Sequence, residues 1–525
     1  MKYPPQAIAY YFSDAHKKQF AAIAESELLF LFKENLKRSS QVVTGVPIYS
    51  NDLSLTGDLI QKITSASKEF GYSSFQLAES ESELDFFRKI ASKLPPSKTG
   101  DTDWDEVSIV VFDGIFPLLD ISCTKSILER HDKFLSQYSY SENLPPGIVP
   151  RILTREFIVS LPSQYAGTTH DFLSKNINHY DTEIFYQAPD LRQWRLDFSL
   201  SSHRSFRLSQ DLLKEKDSLV YSDILPLLLS KPSLFRSAPS YLEIEVFKGC
   251  EYECIFCPRQ FADRKNDGTS LKPETLSRLL DQMDSAFRSE FSICFGGLGE
   301  PLLHPNLDKL IKITLDSPFL KEFYLETALY GNIDTLTKAF AGRSESDFRK
   351  TNIIVNLTTR NPKTYARLYG KDNLSEILTN LEKLSSVLPK SSIHLQFIKM
   401  KEIEEELDQW YEIAQKEGYG IILQKHNSYA GRMQDKRAAD LTPVVREFCW
   451  HLARDIYMTS EGEISVCKQL PGGKDKKEIL GNINAESLAS VWAKGQNSFS
   501  NSANGKHEAI PAPCLSCDEW YTFNA

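Results

Sequence analysis

The sequence predicts an α/β protein of several domains whose central part is an incomplete (β/α)6 barrel. Three observations carry that expectation. From Tyr241 onward, short β-rich runs alternate with helical stretches in six βα steps over about 190 residues, the pattern of a parallel sheet with crossover helices. A chain of 525 residues exceeds what one hydrophobic core usually organises. Eight of the nine cysteines lie beyond residue 249, so metal or redox chemistry is concentrated in the second half.

The expected strands are YLEIEVF, FSICF, EFYLETAL, TNIIVNLTT, SIHLQFIKM and GIILQKHN, separated by helical stretches such as LKPETLSRLLDQMDSAF and LSEILTNLEKLSSVL. In such barrels the functional groups collect at the C-terminal ends of the strands. Upstream, DILPLLLSKPSLFRSAPS reads as a connector, a short apolar helix followed by Ser and Pro. The expected domains are 1–215, a connector at 216–240, a core at 241–430 and a cysteine-rich region at 431–525.

Composition narrows the function classes. A hydrophobic content of 41% with 25% charged residues suits a water-soluble protein, and no apolar run approaches the roughly 20 residues needed to cross a bilayer. No membrane partner is expected. The N-terminus lacks the three-part layout of a secretory signal, so a cytoplasmic location is expected. A net charge of -9 does not favour nucleic acid. Nine cysteines in such a chain point to metal or redox roles rather than disulfides. Cys123 and Cys294 stand alone and read as small buried hydrophobes.

The segment FKGCEYECIFCPRQ places Cys250, Cys254 and Cys257 on one tight loop directly after the first strand, spaced C-x3-C-x2-C. Three close thiolates suit an iron–sulfur cluster, which normally takes four ligands, so one iron is left open. A zinc knuckle would need a fourth ligand, and the nearest downstream histidine, His304, lies far along the chain. At the second strand, ICFGGLGEPLLHP supplies Gly296, Gly297 and Gly299, which allow close backbone approach and sharp turns.

These residues, with Phe256 just before the third cysteine, resemble the radical S-adenosylmethionine (SAM) superfamily. The resemblance implies an enzyme in which the open iron of a 4Fe-4S cluster chelates SAM. One electron from a low-potential donor cleaves SAM to methionine and a 5'-deoxyadenosyl radical, which abstracts hydrogen from substrate. It further implies that the glycine stretch and Glu300 contact the methionine end of SAM, and that Asn356 lies near it. The third strand departs from the family by offering ETAL where many members have Thr-Asn-Gly, leaving the Thr327 region unassigned. Lys425 and His426, in QKHN at the end of the last strand, read as surface or core residues, with lining the cavity as the alternative.

Cys449, Cys467, Cys514 and Cys517 form a second group, the last two as C-x2-C close to Ala525. Four thiolates could fully ligate a 4Fe-4S cluster or a structural zinc. With ILGNINAESLASVWAKG between the pairs, the layout resembles the SPASM extension of radical SAM enzymes, which implies an auxiliary 4Fe-4S cluster. The N-terminal part, through VSIVVF, DGIFPLLD, a helix expected over LPPGIVPRILTREFIVSLP, and RLDFSLSSHRSFRLSQDLL, resembles sugar-acid cytidylyltransferases, a Rossmann-type nucleotidyltransferase-like fold. It departs where that family holds magnesium: Ile115 stands at the strand-end Asp position, and Ser201 and Ser205 at a later Asp pair. Asp113, two positions away, is a candidate to replace the lost carboxylate, but reads first as a solvated turn residue. The combination resembles a spirochaete SPASM family, with a catalytically inactive N-terminal domain. The expected substrate is a peptide or protein, or a sugar-linked small molecule. The competing expectation is a non-catalytic iron–sulfur or zinc sensing or scaffold protein.

Overall fold

The computed structural model describes residues 1–51, 55–96, 105–163, 165, 167–260, 267–440, 442–469 and 479–521. The chain divides into two compact units, Met1–Leu234 and Phe235–Ala525.

The first unit is built on a seven-stranded sheet: β1 (Pro5–Tyr11), β2 (Pro47–Ser50), β3 (Ser74–Leu77), β4 (Ser108–Asp113), β5 (Tyr138–Ser141), β6 (Arg151–Thr154) and β7 (Thr182–Phe185). Its order is β3-β2-β1-β4-β6-β5-β7, with β6 antiparallel to both neighbours and the remaining pairs parallel. The central strands carry near-continuous apolar runs. Ala7 to Tyr10 and Ile109 to Phe112 are buried, as strands covered on both faces require. Helices begin at side-chain caps, among them Ser82, which accepts from the Asp85 amide at 3.1 Å, and Asp120, which accepts from the Cys123 amide at 2.8 Å. The helix expected over LPPGIVPRILTREFIVSLP is corrected. Pro145, Pro146 and Pro150 block helical backbone ahead of it, and RILT becomes β6, paired to β4, before a short helix at Arg155–Ser160.

The second unit holds the expected barrel. Its strands are β8 (Tyr241–Ile244), β11 (Phe291–Phe295), β12 (Leu320–Thr327), β13 (Thr351–Asn356), β14 (Ile393–Lys399) and β15 (Gly420–Lys425). Each pairs in parallel with the next in sequence. Between the first two, β9 (Phe247–Lys248) and β10 (Thr269–Ser270) form a small antiparallel ribbon that frames the cysteine loop. In β8, Leu242 and Ile244 join the large apolar core shared with the surrounding helices. The intervening Glu243 and Glu245 point to the opposite face.

The sequence reading did not anticipate that the C-terminal region continues the same sheet. β16 (Asp455–Met458) lies parallel to β8, β17 (Glu463–Ser465) returns antiparallel, and β18 (Ile479–Asn482) completes a nine-stranded order β15-β14-β13-β12-β11-β8-β16-β17-β18. Among the described residues, no helix is long and apolar enough to cross a membrane.

Candidate active site

The loop after β8 brings Cys250, Cys254 and Cys257 to the wall of one cavity at the C-terminal ends of the barrel strands. Backbone bonds fix the loop: the Glu253 and Ile255 amides donate to the Tyr369 and Leu368 carbonyls at 3.2 and 3.0 Å, and the Glu300 amide donates to the Gly249 carbonyl at 2.8 Å. Burial, reinforced by nearby Glu300, pushes the Cys250 thiol up to about 11. The Cys254 thiol is also raised by burial, with Cys257 and Cys250 adding to it, so the three sulfurs feel one another. Phe256 lines the same cavity and packs edge-on against Tyr369, with ring centroids 5.3 Å apart.

Gly296, Gly297, Gly299 and Glu300 form the adjoining wall. At Gly299 a β-carbon would stand 1.6 Å from the Phe247 carbonyl oxygen, and Gly297 has φ +86°, so neither position tolerates a side chain. The Glu300 carboxylate accepts from the Thr327 hydroxyl at 2.5 Å, the Leu302 amide at 3.1 Å and the Ala328 amide at 2.9 Å. Thr327 therefore acts through Glu300. Burial raises the Glu300 carboxyl to about 7.

Asn356 completes this side, its side-chain oxygen accepting from Gln396 at 2.6 Å. Lys425 and His426, for which sequence offered cavity lining as the alternative to a surface or core role, both line the cavity, as does Lys468. Lys468 pairs with Glu243 at 3.4 Å and Lys425 with Glu519 at 2.9 Å. Sequence reasoning missed Lys468 and Glu243, although a charge inside the apolar run YLEIEVF was a signal. His304 is excluded as a ligand: its Nε2 lies 2.9 Å from the Leu271 carbonyl, and its Nδ1 accepts from the Asn306 amide at 3.0 Å.

Cys449, Cys467, Cys514 and Cys517 gather around a second, small void with Arg446 and Trp520. Burial raises the Cys467 thiol, and the other three cysteines add to the rise. The Glu519 amide donates to the Cys517 sulfur at 3.3 Å, and Arg446 donates to the Cys514 carbonyl at 2.6 Å.

Both voids suit iron–sulfur clusters in donor type: three thiols with an open position in one, four in the other. Among the described residues no three such side chains already stand at metal-ligating geometry, so the fit rests on donor chemistry and convergence. Burial raises the thiols of Cys250, Cys254, Cys257, Cys449, Cys467 and Cys517, which favours the protonated form that bound metal would displace.

In the first unit, Asp113 is not the solvated turn residue expected. Arg151 clamps it, donating through Nε at 2.5 Å and through NH2 to the other oxygen, and also reaches Glu83 at 3.5 Å. The three line a cavity of ≈ 480 Å³ at the C-terminal ends of β4 and β5. Ile115 is buried, Ser201 donates to Asp197, and Ser205 accepts from the Leu200 amide at 2.9 Å, so none of these positions supplies a carboxylate.

Comparison with known proteins finds a family-model match over each of the two cysteine-bearing segments. Residues 244–412 match the model of the radical SAM superfamily, and residues 449–518 match that of SPASM, an iron–sulfur cluster-binding domain. An uncharacterized protein of Treponema pallidum (strain Nichols) is 25% identical over 363 residues, covering 67% of this chain and 97% of that protein. The S-adenosyl-L-methionine-dependent 2-deoxy-scyllo-inosamine dehydrogenase of Niallia circulans is 33% identical over 103 residues, 19% of this chain and 37% of the dehydrogenase. The crystal structure of Streptococcus suis SuiB bound to precursor peptide SuiA aligns with a TM-score of 0.42 at 15% identity, over 67% of this chain and 83% of SuiB. The cofactors that follow from the two matched domains are a SAM-binding 4Fe-4S cluster, SAM itself and an auxiliary 4Fe-4S cluster. The chain is an enzyme that carries a radical SAM superfamily domain at residues 244–412 and a SPASM domain at residues 449–518.

Proposed function

We propose that the barrel cavity is where SAM is cleaved and a hydrogen atom is taken from substrate. In this reading Cys250, Cys254 and Cys257 hold the SAM-binding cluster, and Phe256, Gly296, Gly297, Gly299, Glu300 and Asn356 border SAM. The observation that carries it is the meeting of the three cysteines and the glycine stretch on one cavity at the strand ends. When bound, the cluster and SAM supply one-electron cleavage of SAM and the 5'-deoxyadenosyl radical that removes the hydrogen atom.

The chain's own residues position and enclose. Three of the four acceptor positions of Glu300 are filled by protein donors, which fixes its carboxyl and leaves one position for a ligand donor. A cationic amino group placed there favours the ionised carboxylate that burial alone disfavours. Gly297 and Gly299 keep side chains out of the approach, and the Phe256–Tyr369 contact closes the wall beside the cysteine loop.

Cys449, Cys467, Cys514 and Cys517 hold the auxiliary cluster in this account. Four thiols ligate it fully, so it serves electron relay or scaffolding rather than substrate coordination. The substrate is a peptide or protein, or a sugar-linked small molecule, and the electron comes from a low-potential donor. The nine free cysteines suit a reducing, cytoplasmic setting. Residues 1–215 form a nucleotidyltransferase-like domain kept for binding, since Asp113 is spent on Arg151 rather than on magnesium. Residues 216–240 connect it to the core at 241–430 and the SPASM-type region at 431–525.

Electron paramagnetic resonance of the reduced, reconstituted protein tests the cofactor assignment. SAM is expected to change the signal of one cluster, and the Cys250→Ala, Cys254→Ala, Cys257→Ala triple variant to lose that response. A SAM-sensitive signal that survives in the variant contradicts the assignment.

A further inference from the structure

His426 is 1% exposed, yet neither of its ring nitrogens meets a hydrogen-bond partner. It follows the last residue of β15 and lines the barrel cavity. A buried polar group without a partner costs about 1–3 kcal/mol, so such groups in native proteins call for a partner from outside the chain. Burial lowers the proton affinity of this imidazole, leaving it neutral with one nitrogen donating and the other accepting.

The charges around it are already matched. Asp435 holds Arg437 at 2.9 Å, Asp518 stands 3.8 Å from Lys425 and 3.7 Å from Arg437, and Glu402 is paired with Lys436. The two lysines that line the cavity are themselves engaged, Lys425 by Glu519 and Lys468 by Glu243, while the carboxylates of Glu300 and Glu326 line it as well. Among the described lining residues, therefore, no cation is left over for a phosphate or a carboxylate. Seating an anion on either lysine would require breaking its pair.

We propose that His426 grips an uncharged hydroxyl or amide of the substrate, and that the part of the substrate inside the cavity carries neither phosphate nor carboxylate. His426 is thereby a substrate-contacting residue, and the proposal rests on reading the cavity as the site shared by SAM and substrate. It narrows the substrate by chemistry: a polyol and a peptide segment both qualify, whereas a sugar phosphate or nucleotide entering phosphate-first does not.

Functional-group mapping tests it. Crystals of the anaerobic holoenzyme with SAM are soaked separately in glycerol, N-methylacetamide, acetate and inorganic phosphate. Glycerol or N-methylacetamide is expected within about 2.7–3.2 Å of a His426 ring nitrogen. Acetate and phosphate are expected to stay out of the cavity. The neutral probe should be lost from crystals of His426→Leu that still hold SAM, and which neutral probe seats distinguishes hydroxyl from amide. The proposal is overturned if acetate or phosphate seats on Lys425 or Lys468, if SAM itself occupies the ring nitrogens, if no probe reaches His426, or if the neutral probe persists in His426→Leu. A neutral probe on His426 in a cavity that lacks both SAM and a cluster would instead sink the SAM reading and leave the uncharged-group preference standing.

Discussion

Cys467 and Lys468 are neighbours in the chain and serve two different cavities. Cys467 faces the four-thiol void, while Lys468 lines the barrel cavity and pairs with Glu243 of β8 at 3.4 Å. Lys425, at the end of β15, makes the reciprocal link by binding Glu519, two residues past Cys517. Both cavity lysines thus tie the barrel to the auxiliary site.

Removing one partner of a buried pair leaves the other uncompensated, which costs up to about 3–5 kcal/mol. Lys468→Met is expected to lower stability within that range, because it strands Glu243, whose carboxyl burial already pushes up. Glu243→Gln combined with Lys468→Met should recover part of the loss, since no charge is then left behind. Urea unfolding of the wild type and the two variants checks this. A silent Lys468→Met would show that the pair does not support the join.

Gly299→Ala is expected to disrupt the wall beside the cysteine loop, because its β-carbon would fall 1.6 Å from the Phe247 carbonyl oxygen and backbone must move. Gly342→Ala is the control: φ is +74° but nothing lies within 4 Å, so only the left-handed backbone penalty of about 1–2 kcal/mol applies. Calorimetric titration with SAM should show binding weakened at least about tenfold in the first and little changed in the second. Equal affinity in both would remove the glycine stretch from the site.

Cys514→Ala with Cys517→Ala is expected to lower bound iron from about eight to about four atoms per chain while the SAM-responsive cluster persists. Unchanged iron would assign the void to zinc or to no metal.

Glu300 gives a pH signature. Its folded value of about 7 lies above its ordinary 4.5. Between those values the native chain keeps a proton that the unfolded chain has lost, so stability falls as pH rises through the window and levels off above it. The wild type should lose on the order of 2–3 kcal/mol more than Glu300→Gln between pH 4.5 and 7.5. Paired denaturant titrations read the difference, and parallel pH profiles would show that Glu300 is ionised in the fold.

The parts legible from sequence were those encoded locally. C-x3-C-x2-C puts three ligands on one loop, and the six strands carry their own apolar periodicity. The Glu243–Lys468 pair spans two distant segments, so no window could join it, though Glu243 and Glu245 alternating with Leu242 and Ile244 mark a polar inner face. β16 is only four residues, and its pairing with β8 is a tertiary fact that propensity does not encode. Asp113 was misread because Arg151 comes from a segment taken for helix, where the run of prolines outweighed the apolar pattern.

Formation of 5'-deoxyadenosine tests the central claim most directly. Wild-type protein, reconstituted anaerobically with iron and sulfide and given SAM and a strong reductant, is expected to form it. The Cys250→Ala, Cys254→Ala, Cys257→Ala variant is expected to form none. Equal 5'-deoxyadenosine from both proteins, or none from wild type with a loaded cluster and reductant present, would contradict the account.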